Sequence, residues 1–126
     1  MGGPYLELYQ DLTARENLQF LGKLKRVDKL DEKIKSLMER FRLAGREDDD
    51  VKTYSSGMKQ RLKYVFALLS DPQVLFVDEP RSNLDEEGIH TVYQVLQEQK
   101  KNKILVIATN DQEDIKFADR VVKIDG

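Results

Sequence analysis

Val74-Leu75-Phe76-Val77-Asp78-Glu79-Pro80 decides the fold, read with Ser82-Asn83-Leu84-Asp85 behind it and Tyr54-Ser55-Ser56-Gly57-Met58-Lys59-Gln60-Arg61 ahead of it. The unbroken apolar run is the pattern of a strand covered on both faces. Such a strand delivers Asp78 to its carboxyl end, where open α/β sheets place ligands. Side chains alternate along a strand, so Asp78 and Glu79 point in different directions and the two carboxylates can hold different tasks. An acidic strand-end turn without chemistry is the plainer alternative. Ser55 or Ser56 caps a helix that runs to about Ser70 and stops before Pro72, with Leu62, Val65, Phe66 and Leu69 on its buried face. Its free amides and positive end favour an anion, and the small side chains of Ser55, Ser56 and Gly57 let a phosphate approach the backbone. A capped helix alone is the competing reading there.

Outward from this stretch, a long helix is expected from about Asp85 to Lys101, with Val92, Val95 and Leu96 inward. A second buried strand follows over Ile104–Ala108, then a short helix over Asp111–Phe117 and a third strand over Val121–Ile124. Strands alternating with helices predict an α/β class with parallel crossovers. Toward the N-terminus, Thr13-Ala14-Arg15-Glu16 is a capping box, and Leu18, Leu21 and Leu24 mark a helical stripe. Another helix is expected from Asp31 to Ala44, with Ile34, Met38 and Phe41 on one face and Gly45 at its stop. Arg46 to Val51 reads as an acidic, mobile loop. Tyr5, Tyr9, Phe20 and Phe41 are expected in the core of this helical part.

At 126 residues the chain makes one domain or one large piece of a domain. A net charge of −2 leaves no basic footprint for nucleic acid. The absence of cysteine excludes disulfides, cysteine-ligated zinc and thiol nucleophiles. The single histidine, His90, cannot build a histidine metal site and is expected on the solvent face of the long helix. The acidic run Glu47–Asp50 lacks the spaced ligands and glycine turn of a calcium loop. No apolar run reaches the roughly 20 residues of a membrane helix, and no signal peptide is visible.

In this order and at this spacing the three segments resemble the signature motif, the Walker B strand and the D-loop of an ABC-type ATPase. Pro4 to Leu18 is similar to the segment that follows the family's Q-loop. The resemblance implies a P-loop NTPase-like fold, with a helical subdomain portion at residues 1–53. Residues 54–126 would then hold the signature helix and the C-terminal half of the ATPase core, a partial parallel sheet with flanking helices. It implies ATP and Mg2+ as cofactors, Asp78 in the magnesium shell, and Glu79 orienting and deprotonating the attacking water. Ser55, Ser56, Gly57 and Gln60 would contact the terminal phosphate of ATP held by a second copy of the domain. Asp85 would help link the two ATP sites. The implied whole is the ATP-binding subunit of a transporter, cytoplasmic and peripheral on the inner face of the membrane, acting on an integral membrane subunit. The helical part is its docking side.

The chain departs from the family pattern in several places. Leu-Ser-Gly-Gly-Gln is replaced by Tyr54-Ser55-Ser56-Gly57-Met58. The switch histidine is Asn110, which donates to phosphate but carries no proton or charge. Pro4 stands near the Q-loop glutamine, and Gln10 falls too late to replace it. No Gly-x-x-x-x-Gly-Lys-Ser/Thr loop occurs, so this polypeptide alone is expected to be inactive and to bind ATP poorly. The strand leading to that loop would sit between the second and third strands, so a gap in the sheet is expected, closed by rearrangement, by swapping of elements or by pairing with another copy. The alternative reading is a non-catalytic or regulatory ABC-type interaction module with a degenerate ATP site.

Overall fold

A computed structural model describes residues 8–122. Five helices and two strands follow one another as α1 (Ala14–Leu24), α2 (Leu30–Arg40), α3 (Ser56–Leu68), β1 (Val74–Asp78), α4 (Glu86–Asn102), β2 (Ile104–Ala108) and α5 (Gln112–Phe117). The α/β class expected from the pattern is the class observed. The capping box at α1 forms in both directions: Glu16 N donates to Thr13 Oγ1 at 3.0 Å and Thr13 N donates to Glu16 Oε1 at 2.9 Å. Two amides that the helix end leaves orphaned are satisfied in this way. Ser55, Asp85 and Asp111 cap α3, α4 and α5 through their side chains.

β1 and β2 pair in parallel with Val74 opposite Ile104 and Asp78 opposite Ala108, joined by the α4 crossover. Leu75 and Val77 face the core together with half-buried Leu105 and Ile107. Expected burial on both faces is corrected here. Phe76 is 72% exposed, and Val74, Ile104 and Val106 share its open face. Among the described residues the core packs on one side of this sheet only, and an apolar side chain is buried only where another element covers it. The third strand does not form at Val121 and Val122, which lie in no strand, while Lys123 and Ile124 fall outside the described residues. A strand needs a hydrogen-bonding neighbour, and no described segment pairs with the free edge of β2.

The core runs without interruption from Leu18 of α1 through Ile34 and Met38 of α2 and Leu62 of α3 to Val92 and Leu96 of α4. Phe41, just past α2, stacks on Tyr64 of α3 with ring centroids 5.8 Å apart and planes 4° from parallel. Arg40 grips Glu98 of α4 through both carboxylate oxygens, at 2.9 and 2.5 Å, which holds the Glu98 carboxyl below the usual carboxylate pKa range. α2 ends earlier than expected, at Arg40, because Arg42 takes the left-handed conformation (φ 60°) and the chain turns before Gly45.

The 46–51 loop is held rather than loose. Ala14 N and Arg15 N donate to Asp49 O and Glu47 O, Val51 N donates to Leu12 O, and Thr13 pairs with Asp50 in an isolated antiparallel bridge. Arg15 adds an ion pair to Asp48 at 2.8 Å, which holds the Asp48 carboxyl low. The aromatic expectation is corrected in part. Phe41 is buried, but Tyr9 and Phe20 form an edge-to-face pair in solvent, with Phe20 58% exposed, and Tyr5 lies outside the described residues. Phe20 falls between the helical positions of the buried stripe at Leu18 and Leu21, on the outer side of α1.

Candidate functional site

Two turns meet at the carboxyl ends of the strands. One follows β1 (residues 79–85) and the other follows β2 (residues 109–111). Asp78 ends β1 on the exposed face, beside Phe76, and its carboxylate has no hydrogen bond or ion pair among the described residues. Glu79 takes the left-handed conformation (φ 49°), uncommon for a residue with a side chain. The surroundings determine that conformation: Glu79 N donates to Ala108 O at 2.8 Å, and Glu79 O accepts from Ser82 N at 3.0 Å. The chain thereby turns Glu79 across toward the other strand end. Its Oε1 accepts from Asn110 N at 3.2 Å and its Oε2 lies 3.4 Å from Thr109 Oγ1. The two carboxylates do point apart, one to open solvent and one to the 109–111 turn.

Asn110 thus reaches Glu79 through its backbone amide, and its side chain stands exposed. Under this turn lies a polar cluster that the sequence reading did not single out. Thr109 Oγ1 is 2.7 Å from Asp114 Oδ2 and accepts from Asp111 N at 2.9 Å. Asp114 is 1% exposed, and burial pushes its carboxyl up, with Arg81 opposing and Glu79 adding to the shift. Arg81 sits 3.9 Å from Asp114 Oδ1 and 3.7 Å from Asp111 Oδ2, and its guanidinium covers the Tyr93 ring at 5.0 Å. The available signal was a threonine closing an apolar strand with an acid five residues on, inside the next helix's first turn.

The tip of α3 packs on the first of these turns. A Cβ added to Gly57 would stand 3.1 Å from Asn83 O, so the missing side chain permits the approach. Tyr64 Oη, one turn beyond Gln60, reaches Pro80 O at 3.4 Å. Ser55 Oγ accepts from Met58 N at 3.1 Å, and the amides of Ser56 and Gly57 have no partner among the described residues. Ser55 and Ser56 are exposed, and Gln60 is half-buried. Asp85 Oδ1 accepts from Gly88 N at 2.8 Å, so the cap role is present. The structure therefore brings Glu79 and Asn110 together and sets Gly57 against the 79–85 turn. It joins no atom of Ser55, Ser56, Gln60 or Asp85 to Glu79 by a hydrogen bond. No group of three or more metal-binding side chains occurs, and no helix is long and apolar enough to cross a membrane, both among the described residues.

Residues 5–82 match the family model described as ABC transporter. ABC transporter A family member 8 of Dictyostelium discoideum is 32% identical over 112 residues, which span 87% of this chain and 13% of that protein. The ABC transporter ATP-binding protein YhcH of Bacillus subtilis (strain 168) is 47% identical over 87 residues, 68% of this chain and 28% of that protein. A solved ATP-binding subunit of an ABC transporter matches with a TM-score of 0.80 at 27% identity, over 93% of this chain and 50% of that one. The chain thus spans a small part of the curated relatives' length and half of the solved subunit. The arrangement of strand-end carboxylates, capped helix tip and intervening turn sits on the fold of an ABC ATPase domain, and the chain belongs to the ABC transporter family.

Proposed function

We propose that this chain is the part of an ABC transporter's ATP-binding subunit that carries the water-activating carboxylate and the signature helix, so that the intact protein couples ATP hydrolysis to transport. The observation that carries the reading is Glu79, held in a left-handed turn and aimed at the 109–111 turn, with Asp78 beside it on the open face. A general base must be oriented before it can act. The backbone amide of Asn110 and the hydroxyl of Thr109 orient this one.

Magnesium fits Asp78. The ion takes one or two carboxylates, keeps waters, and draws its remaining ligands from substrate phosphates. A single unpartnered, exposed carboxylate supplies that share and no more. When bound, the ion neutralises charge that develops on the transferred phosphoryl group. Ser55, Ser56, Gly57 and Gln60 form the face offered to ATP held by a second copy, where the two unpartnered amides at the helix tip suit the terminal phosphate. Asp85 keeps its cap and lines the same turn toward that partner. The exposed Tyr9 and Phe20 pair gives the helical part an apolar face for the integral membrane subunit, at the cytoplasmic side of the membrane. The net charge still argues against nucleic acid.

The regulatory reading draws on Asn110, whose neutral side chain cannot take the charged role of a switch histidine. The full-length polypeptide with its membrane partner separates the two. Glu79→Gln is expected to lower ATP turnover at least about 100-fold while ATP binding survives, the size general-base removal commonly has. Wild-type turnover no faster than that of Glu79→Gln would transfer the chain to the regulatory class.

A further inference from the structure

We infer that Thr109 is a positioning residue for Glu79, held in its working rotamer by buried Asp114 and by the Asp111 amide; this rests on the reading of Glu79 given above. The hydroxyl sits at the centre of three contacts. It accepts from Asp111 N at 2.9 Å, lies 2.7 Å from Asp114 Oδ2, and lies 3.4 Å from Glu79 Oε2. It owns one hydrogen. That hydrogen faces two carboxylates, tightly toward Asp114 Oδ2 and more weakly toward Glu79 Oε2, so its positive end draws Oε2 in.

Asp114 cannot swing away, because it is 1% exposed and packed under the turn with Arg81 at ion-pair distance. Arg81 itself belongs to the turn that begins at Glu79 and reaches Asp111 at 3.7 Å. The two strand-end turns are therefore braced together through Arg81, Asp111, Asp114 and Thr109. Glu79 Oε1 takes the one directed N–H, from Asn110. Without Thr109's hydroxyl beside Oε2, the carboxylate loses one of its two donors and rotates off the Asn110 amide.

Thr109→Val keeps the shape and removes the hydroxyl; Thr109→Ser keeps the hydroxyl. In the full-length polypeptide with its membrane partner, Thr109→Val is expected to lower kcat about 10-fold with KM for ATP unchanged, well short of a lost base. Thr109→Ser is expected to stay within about twofold of wild type, because it retains the hydroxyl. Combined with Glu79→Gln, Thr109→Val should add nothing further, as for groups that act as one unit. If Glu79→Gln alone leaves kcat intact, the base assignment fails. If Glu79→Gln abolishes turnover but Thr109→Val has wild-type kcat, the positioning role fails instead. Should the wild type lack turnover, the Asn110 amide proton resonance decides. Thr109→Val must move it in the direction that Glu79→Gln moves it and Thr109→Ser must not, and an unmoved resonance overturns the inference. Thr109→Ala is the replacement should the valine variant lose its dispersed amide spectrum, with the same outcomes read the same way.

Discussion

Gly57→Ala separates stability from function at the helix tip, because two opposed effects act on one methyl group. Gly57 lies in the first turn of α3, two residues after the Ser55 cap. Alanine there gains helix propensity, up to about 1 kcal/mol in a helix interior and less in a first turn. Against this, the new Cβ would meet Asn83 O at 3.1 Å, closer than nearly all real Cβ contacts, so the carbonyl must retreat by a few tenths of an ångström. Overpacking into rigid surroundings costs about 1–3 kcal/mol. Asn83 sits in an exposed turn and its backbone is already left-handed (φ 59°), which leaves room to give. The two effects should nearly cancel, leaving a stability change within about 1 kcal/mol in a urea titration. The retreat nevertheless moves the helix tip relative to the 79–85 turn, the distance on which the proposed ATP site shared with a second copy depends. A misplacement of about 1 Å can cost 100-fold in rate, so a few tenths should lower ATP turnover of the full-length protein between about 3-fold and about 10-fold. Wild-type turnover in a stably folded Gly57→Ala protein would show that the close approach serves packing alone.

Phe41→Ala, which empties a site 1% exposed and unstacks Tyr64, should cost about 3–5 kcal/mol in the same urea titration, and a loss under about 1 kcal/mol would contradict the core assignment. Tyr54 Oη donates to Arg46 O at 2.5 Å, and its hydroxyl is pushed up to about 12, first by burial and then by Asp49. A raised folded-state value means that the stabilisation is complete below the ordinary value of 10.0 and is lost as pH rises toward 12. Stability should therefore fall through that alkaline window, and Tyr54→Phe should flatten the fall while costing about 1 kcal/mol at neutral pH for the lost hydrogen bond. Stability curves of the two proteins that run parallel from pH 9 to 12 would count against it.

Much of the fold was legible because local chemistry dictates it. The Thr13 capping box, the Ser55 and Asp85 caps and the Ile104–Ala108 strand are short-range signals, and all stand where they were expected. What failed depended on neighbours distant in the chain. Whether Phe76 is buried depends on what lies over the sheet, and no property of Val74–Val77 encodes that. The end of α2 was set by the left-handed Arg42 rather than by Gly45, because a glycine permits a turn without compelling it. The acidic 46–51 loop looked loose from its charges, yet its order comes from backbone bonds to residues 12–15.

The candidate site divides along the same line. Asp78 and Glu79 were legible as neighbours at the end of an apolar strand, but β1 stops at Asp78 and the left-handed turn at Glu79, not strand alternation, sends the two side chains apart. Thr109, Arg81 and Asp114 were missed because their significance exists only once two strand ends lie side by side. Parallel pairing with Asp78 opposite Ala108 places residue 79 of one turn level with residue 109 of the other, and the register alone then makes Thr109 a neighbour of Glu79. A shift of one residue in that register would turn the whole of β2 over, sending Val106 inward and Ile107 outward. The apolar packing of Leu105 and Ile107 against the core forbids that shift, so the buried face of the sheet is what holds the carboxylate and its support in contact.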